Sequence, residues 1–330
     1  MSAPRGDFEL PPDKQPLYAR AIKLEWITIL YLLSAVAAIY ATLGSSQAMK
    51  TAWAEDILSL IPPLAFLVAS RFRHKEPNDR FPYGYHKAVT IAFLCAAVAL
   101  SFMGTLLLFD AISKLISFEH PSIGVVQFFG HQVWLGWLML PALVWSAIPA
   151  FILGRAKLPL ARALHDKVLF GDAKMNKADW LTATAAMLGV LGIGMGLWWA
   201  DAVAAGAISI DIIHDGYRNL RAVVADLMDA RPRVVDDSQA EPIVARVLTE
   251  VLGLPWVREA QVRLREEGHV FAGEIFVVPT SDEGPTTMKL KQLYERIRTL
   301  DWRLHDIVVV PVESLEASPP EEKPPREKQR

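Results

Sequence analysis

Arg80–Ile116 reads RFPYGYHKAVTIAFLCAAVALSFMGTLLLFDAISKLI. Its first residues are aromatic and basic, and from Ala88 to Phe109 no charged residue occurs. About 20 apolar residues in a helix cross a hydrocarbon slab of about 30 Å, so this run predicts a membrane span with length to spare for tilt. The basic residues ahead of it mark the side that stays in the cytosol.

Five more apolar runs flank it: about Leu24 to Leu43, Met49 to Ser70 with Pro62 and Pro63 inside, Val133 to Leu153, at least Trp180 to Trp199, and Ala202 to Leu220. A chain that is 52% hydrophobic, with a mean hydropathy of +0.25, is too apolar for an ordinary soluble domain. Charge placement orients the six spans. Arg71, Arg73, Lys75, Arg80 and Lys87 follow the second, and Arg155, Lys157, Arg162, Lys167, Lys174 and Lys177 follow the fourth. The connection Ser117 to Gln132 has no Lys or Arg, so both termini are expected in the cytoplasm, and the location expected is a bacterial inner membrane. Nothing at the N-terminus reads as a cleavable signal.

Residues 1–21 read as a cytosolic tail and 22–222 as the six-helix membrane domain. From about Val223 the chain turns mixed in character. Glu241–Leu252 reads as an amphipathic helix, Trp256–Leu264 and Val270–Val278 as strands, Thr287–Leu300 as a helix and Ile307–Val312 as a strand. This αββαβ order predicts a ferredoxin-like α+β domain over 223–315, followed by a polar, Pro-rich tail over 316–330.

A carboxylate in a membrane core costs roughly 2.5 kcal/mol or more, so each one needs a reason. Glu55, Asp179 and Asp211 read as facing a cavity. Asp56 and Asp110 read equally well as interfacial or Lys-paired, and Asp201 and Asp215 better so. Carboxylate oxygens suit hard divalent cations, and a buried carboxyl can exchange a proton for a metal. His74, His86 and His165 read as loop histidines, and Cys95 as a packing residue. Gly189, Gly192, Gly194 and Gly196 mark close helix packing. With Cys95 the only cysteine, neither an intrachain disulfide nor a thiolate cluster can form. No P-loop, nucleophile–base pair or hydrolase motif is present, which argues against ATP-driven transport and against an enzyme. No nucleic-acid partner is expected, and no permanently bound cofactor.

The stretch RFPYGYHK resembles the F-x-Y-G-H-x-K/R loop of the cation diffusion facilitator family: Phe81, Tyr83, Gly84 and Lys87 match, while Tyr85 stands where His is usual. The run Asp201–Ala205 and the exit GYRNLRAVVADLMDARP are similar to that family's last span. The resemblance covers about residues 20 to 313. It implies export of a divalent metal coupled to proton entry by a homodimer, through two residues at i, i+4 on span 2 and two on span 5. Here those positions are Glu55 and Ser59, and Met175 and Asp179; Asp56 and Asn176 become candidates if either helix is rotated. A site without His leans away from zinc and towards manganese or ferrous iron. Ile275 and Val310 stand where cytosolic metal-binding His often occur in the family. The competing expectation is a transporter-like scaffold or partner subunit that has lost the site, with Lys174 and Lys177 neutralising its carboxylates.

Overall fold

The computed structural model describes residues 10–72, 78–81, 85–118, 123–128, 131–235, 239–267, 270–281 and 284–315. His74, Tyr83, Gly84, His269, the 316–330 tail and the Lys177 side chain lie outside them.

Hydropathy decides that helices form, and caps and prolines decide where. α1 (Gln15–Thr42) starts with a proline in its first turn. α2 (Gln47–Leu58) starts at Ser46, whose hydroxyl accepts from the Met49 N–H. It stops at Ser59–Leu60, and α3 (Ile61–Phe72) resumes the path with Pro62 and Pro63 in its first turn. The expected second span is therefore two helices. Proline is welcome in a first turn but has no N–H, so the carbonyls of Leu58 and Ser59 lose their usual donors four residues on.

α4 (His86–Ile116) follows, then a short antiparallel hairpin of β1 (Val125–Phe128) and β2 (His131–Trp134), within what the sequence shows only as a connection without Lys or Arg. α5 (Gly136–Leu164) contains Pro141, Pro149 and Pro159. His165 and Asp166 are not solvated loop residues: buried His165 takes a left-handed conformation at the end of α5, and Asp166 accepts from the Leu169 N–H to start α6 (Lys167–Gly194). α6 thus starts ahead of Trp180, the latest start expected, and ends before Trp199. α7 spans Ala200–Leu227. Cys95 is exposed on α4 rather than packed inside.

α5 packs on α6, α4 on α7, α1 on α5, and α2 on both α6 and α7. Among the described residues, four helical stretches are long and apolar enough to cross a membrane: Gln15–Thr42, Gln47–Val68, Ala97–Ile116 and Gly136–Leu164. α6 and α7 are as long, but Asp172, Lys174, Lys177 and Asp179 interrupt one, and Asp211, Asp215 and Arg218 the other.

Gly189 lets three helices meet: a Cβ there would lie 3.0 Å from that of Ala204 and 3.2 Å from that of Ala48. Gly196 is different from the packing glycine the sequence suggested. Its φ of +84° makes it a turn residue between α6 and α7, with open space where a Cβ would stand.

Residues up to Ala240, with Arg265–Val270, form one compact unit, and Glu241–Leu264 with the chain from Phe271 form the other. The second contains α8 (Ile243–Leu252), β3 (Val257–Glu267) and β4 (Val270–Pro279) apart from their adjoining ends, α9 (Thr287–Leu300) and β5 (Leu304–Pro311). The sheet order is β3-β4-β5, and β4 and β5 run parallel, joined through α9. Ile243, Val247, Phe271, Ile275, Leu293 and Ile297 fill its core. Ile275 is wholly buried there, and His305 is half-buried on β5.

Candidate metal site between α2 and α6

Ala48 touches the position of Gly189, and Thr182 Oγ1 donates to Glu55 Oε1 at 3.0 Å. Moving forward along α2 therefore means moving back along α6, so the two helices run antiparallel. One more turn puts Ser59 about level with Asp179, and Asn176 lies a turn beyond.

Glu55, Ser59, Asn176 and Asp179 are all buried. Three of their oxygens have no hydrogen-bond partner among the described residues: Ser59 Oγ, Asn176 Oδ1 and Asp179 Oδ2. Buried polar atoms are nearly always paired, and each one left alone costs about 1–3 kcal/mol. The three residues lie at neighbouring levels of α2 and α6, and carboxylate, hydroxyl and amide oxygens are ligands that hard divalent cations accept. Among the described residues, no three His, Cys, Asp or Glu side chains cluster closely enough to hold a metal alone. Hydroxyl and amide oxygens would have to complete any coordination shell.

The remaining candidates are placed differently. Asp56 is buried but turned towards α5, where Ser146 Oγ donates to both its oxygens at 3.0 and 2.9 Å, and Tyr31 donates in turn to the Ser146 carbonyl. Met175 packs against the apolar cluster that includes Met49, Met139 and Val190. Asp211 is exposed on α7, within charge–charge range of Glu55. Lys174 is exposed and sits over the Phe170 ring, 4.9 Å from its centroid, rather than on Asp179. Asp110 pairs with Lys114 at 3.9 Å.

Two buried groups escaped the sequence reading. Asp201, expected near the interface, is fully buried and caps α2: it accepts from Ser46 Oγ at 2.6 Å and from the N–H groups of Gln47 and Ala48. Lys157, counted as one of the cytosolic cations, is wholly enclosed between Glu25 of α1 and Asp172 of α6. Each is a charge just outside an apolar run, which is also the signature of an ordinary snorkelling flank.

The transmembrane-domain model of the cation efflux family matches residues 26–228. The chain is 24% identical over 257 residues to the manganese efflux system protein MneS of Bacillus subtilis, covering 74% of this chain and 84% of that one. To the manganese efflux system protein MneP of the same organism it is 22% identical over 247 residues, 72% of this chain and 76% of that one. To the magnetosome protein MamB of Magnetospirillum gryphiswaldense it is 26% identical over 160 residues, 48% and 50% of the two chains. With the family model spanning most of the helical bundle, the chain belongs to the cation diffusion facilitator family of cation efflux transporters, which are not enzymes.

Proposed function

We propose that the chain exports a divalent metal ion, manganese or ferrous iron in preference to zinc, in exchange for protons. The observation that carries this reading is the set of buried oxygens of Ser59, Asn176 and Asp179 without a partner among the described residues, on the same two helices as the buried Glu55. Zinc favours nitrogen and sulfur ligands in a tetrahedron, whereas carboxylate, hydroxyl and amide oxygens suit harder ions. The names of the two Bacillus relatives point the same way.

In this reading the bundle crosses the bilayer six times, with α2 and α3 as one broken span and α6 and α7 as the two polar ones. Both termini lie in the cytoplasm of a bacterial inner membrane, and the C-terminal unit is ferredoxin-like and pairs two copies. Metal enters from the cytosol, binds at Glu55 and Asp179 with Ser59 and Asn176, and leaves outward after the helices rock. Protons take its place on the carboxylates. Met175, Asp56 and Asp211 serve packing and the surrounding field rather than ligation.

Flux into proteoliposomes tests it with a panel of Mn²⁺, Fe²⁺ and Zn²⁺ under an imposed pH gradient. Mn²⁺ or Fe²⁺ moves, the gradient speeds it, and Asp179→Ala abolishes it. Equal flux in Asp179→Ala, or none with any metal, overturns the proposal. That no three His, Cys, Asp or Glu side chains cluster among the described residues favours a second reading, a scaffold or partner subunit without transport. Calorimetric titration separates the two: stoichiometric Mn²⁺ binding that Glu55→Ala removes excludes the scaffold.

A further inference from the structure

Lys157 Nζ donates to Glu25 Oε2 at 2.8 Å and to Asp172 Oδ2, with none of its side chain reaching the surface. The other Asp172 oxygen, Oδ1, accepts from Asn176 Nδ2 at 3.1 Å. A carboxylate has only acceptors, so the group that Asn176 turns to it must be the amide nitrogen. The carbonyl oxygen then points the other way, and it is the buried atom without a partner. Asp172, Asn176 and Asp179 fall at i, i+4 and i+7, on one face of α6.

A buried ion triad is a poor source of stability, since well-packed apolar residues of the same volume do as well or better. This one ends on an amide whose two faces differ chemically: the oxygen is a hard ligand, whereas the NH₂ group is only a donor and repels a cation. We propose that Glu25, Lys157 and Asp172 are positioning residues for the metal site. They lock Asn176 with its oxygen towards the ion and so bias the site to hard, oxygen-liganded divalent cations. The proposal rests on the reading of Asn176 and Asp179 as site residues.

The test uses the full chain, titrated in detergent with Mn²⁺ and with the softer Cd²⁺, and assayed for Mn²⁺ flux in vesicles. Asp172→Asn leaves Lys157 paired with Glu25 but can face Asn176 with either an oxygen or an NH₂, which releases the lock. Its Mn²⁺ dissociation constant rises about tenfold, as is usual when a ligand's support is removed, with Cd²⁺ little changed. In flux, KM for Mn²⁺ rises by the same factor while kcat holds. Asn176→Ala leaves the triad intact, gives the same loss, and carries the test if Asp172→Asn does not fold. The double variant is no worse than Asn176→Ala alone. Wild-type Mn²⁺ affinity in Asn176→Ala, or losses from the two substitutions that add in full, overturns the lock while leaving transport standing. A wild-type chain that binds no metal overturns both.

Discussion

Asp201 and Lys157 carry the same lesson about single charges in apolar helices. Asp201 accepts three hydrogen bonds from the start of α2, including those of two main-chain N–H groups. Asp201→Ala strands those donors, and each stranded donor costs about 1–3 kcal/mol. A lower melting temperature in detergent is expected, with metal affinity unchanged in the molecules that remain folded. Lys157→Met leaves Glu25 and Asp172 buried without their cation and costs about 3–5 kcal/mol, read the same way. Neither role was visible in the sequence. Asp201 follows two interfacial tryptophans, and Lys157 stands among basic residues that orient the chain, so each has a sufficient local explanation. Asp201 pairs with Ser46, 155 residues away, and Lys157 with Glu25, 132 residues away, besides Asp172 on the next helix. Glu55 and Asp179 stood out in the sequence as carboxylates within apolar runs, and both are buried. The oxygen of Asn176 did not, because an amide's direction depends on what holds its other end.

At the scale of elements, order and type were readable almost throughout, because apolar runs of membrane length and the switch to period-2 alternation are strong local signals. The boundaries that failed depend on caps. α6 starts at Asp166 because that side chain, far outside the apolar run, accepts from Leu169. Packing at Gly189 sets how α2, α6 and α7 approach. Gly189→Leu drives a side chain into Ala48 and Ala204 and costs about 1–3 kcal/mol or more, with loss of the monodisperse peak in gel filtration. In the C-terminal unit, Asp301 ends α9 and receives the Arg303 main-chain N–H and guanidinium, while Arg303 also reaches Glu241 before α8. Burial alone would raise the Asp301 carboxyl, but Arg303 holds it below the usual carboxylate range. A group lowered in the folded state stabilises it above the unfolded value of about 3.9 and stops doing so as pH falls through the folded value. Denaturant midpoints of this unit, taken on either side of that window, should therefore fall on acidification by more in the wild type than in Asp301→Asn.

For the whole molecule, the chain divides into two compact units at Glu241, beyond the end of α7 at Leu227. Under the proposed function, mass measurement in detergent returns two copies of the chain, and a monomer alone counts against pairing through the C-terminal unit. The long-range pairs also set a timetable for biogenesis. Glu25 leaves the ribosome 132 residues before Lys157, an interval of roughly ten seconds at ordinary translation speed. Ser46 waits still longer in sequence, 155 residues, for Asp201. α1 and the start of α2 therefore enter the bilayer with their polar groups unmatched. They can settle only when α5 and α7 emerge, which makes the last-made helices the ones that license the first.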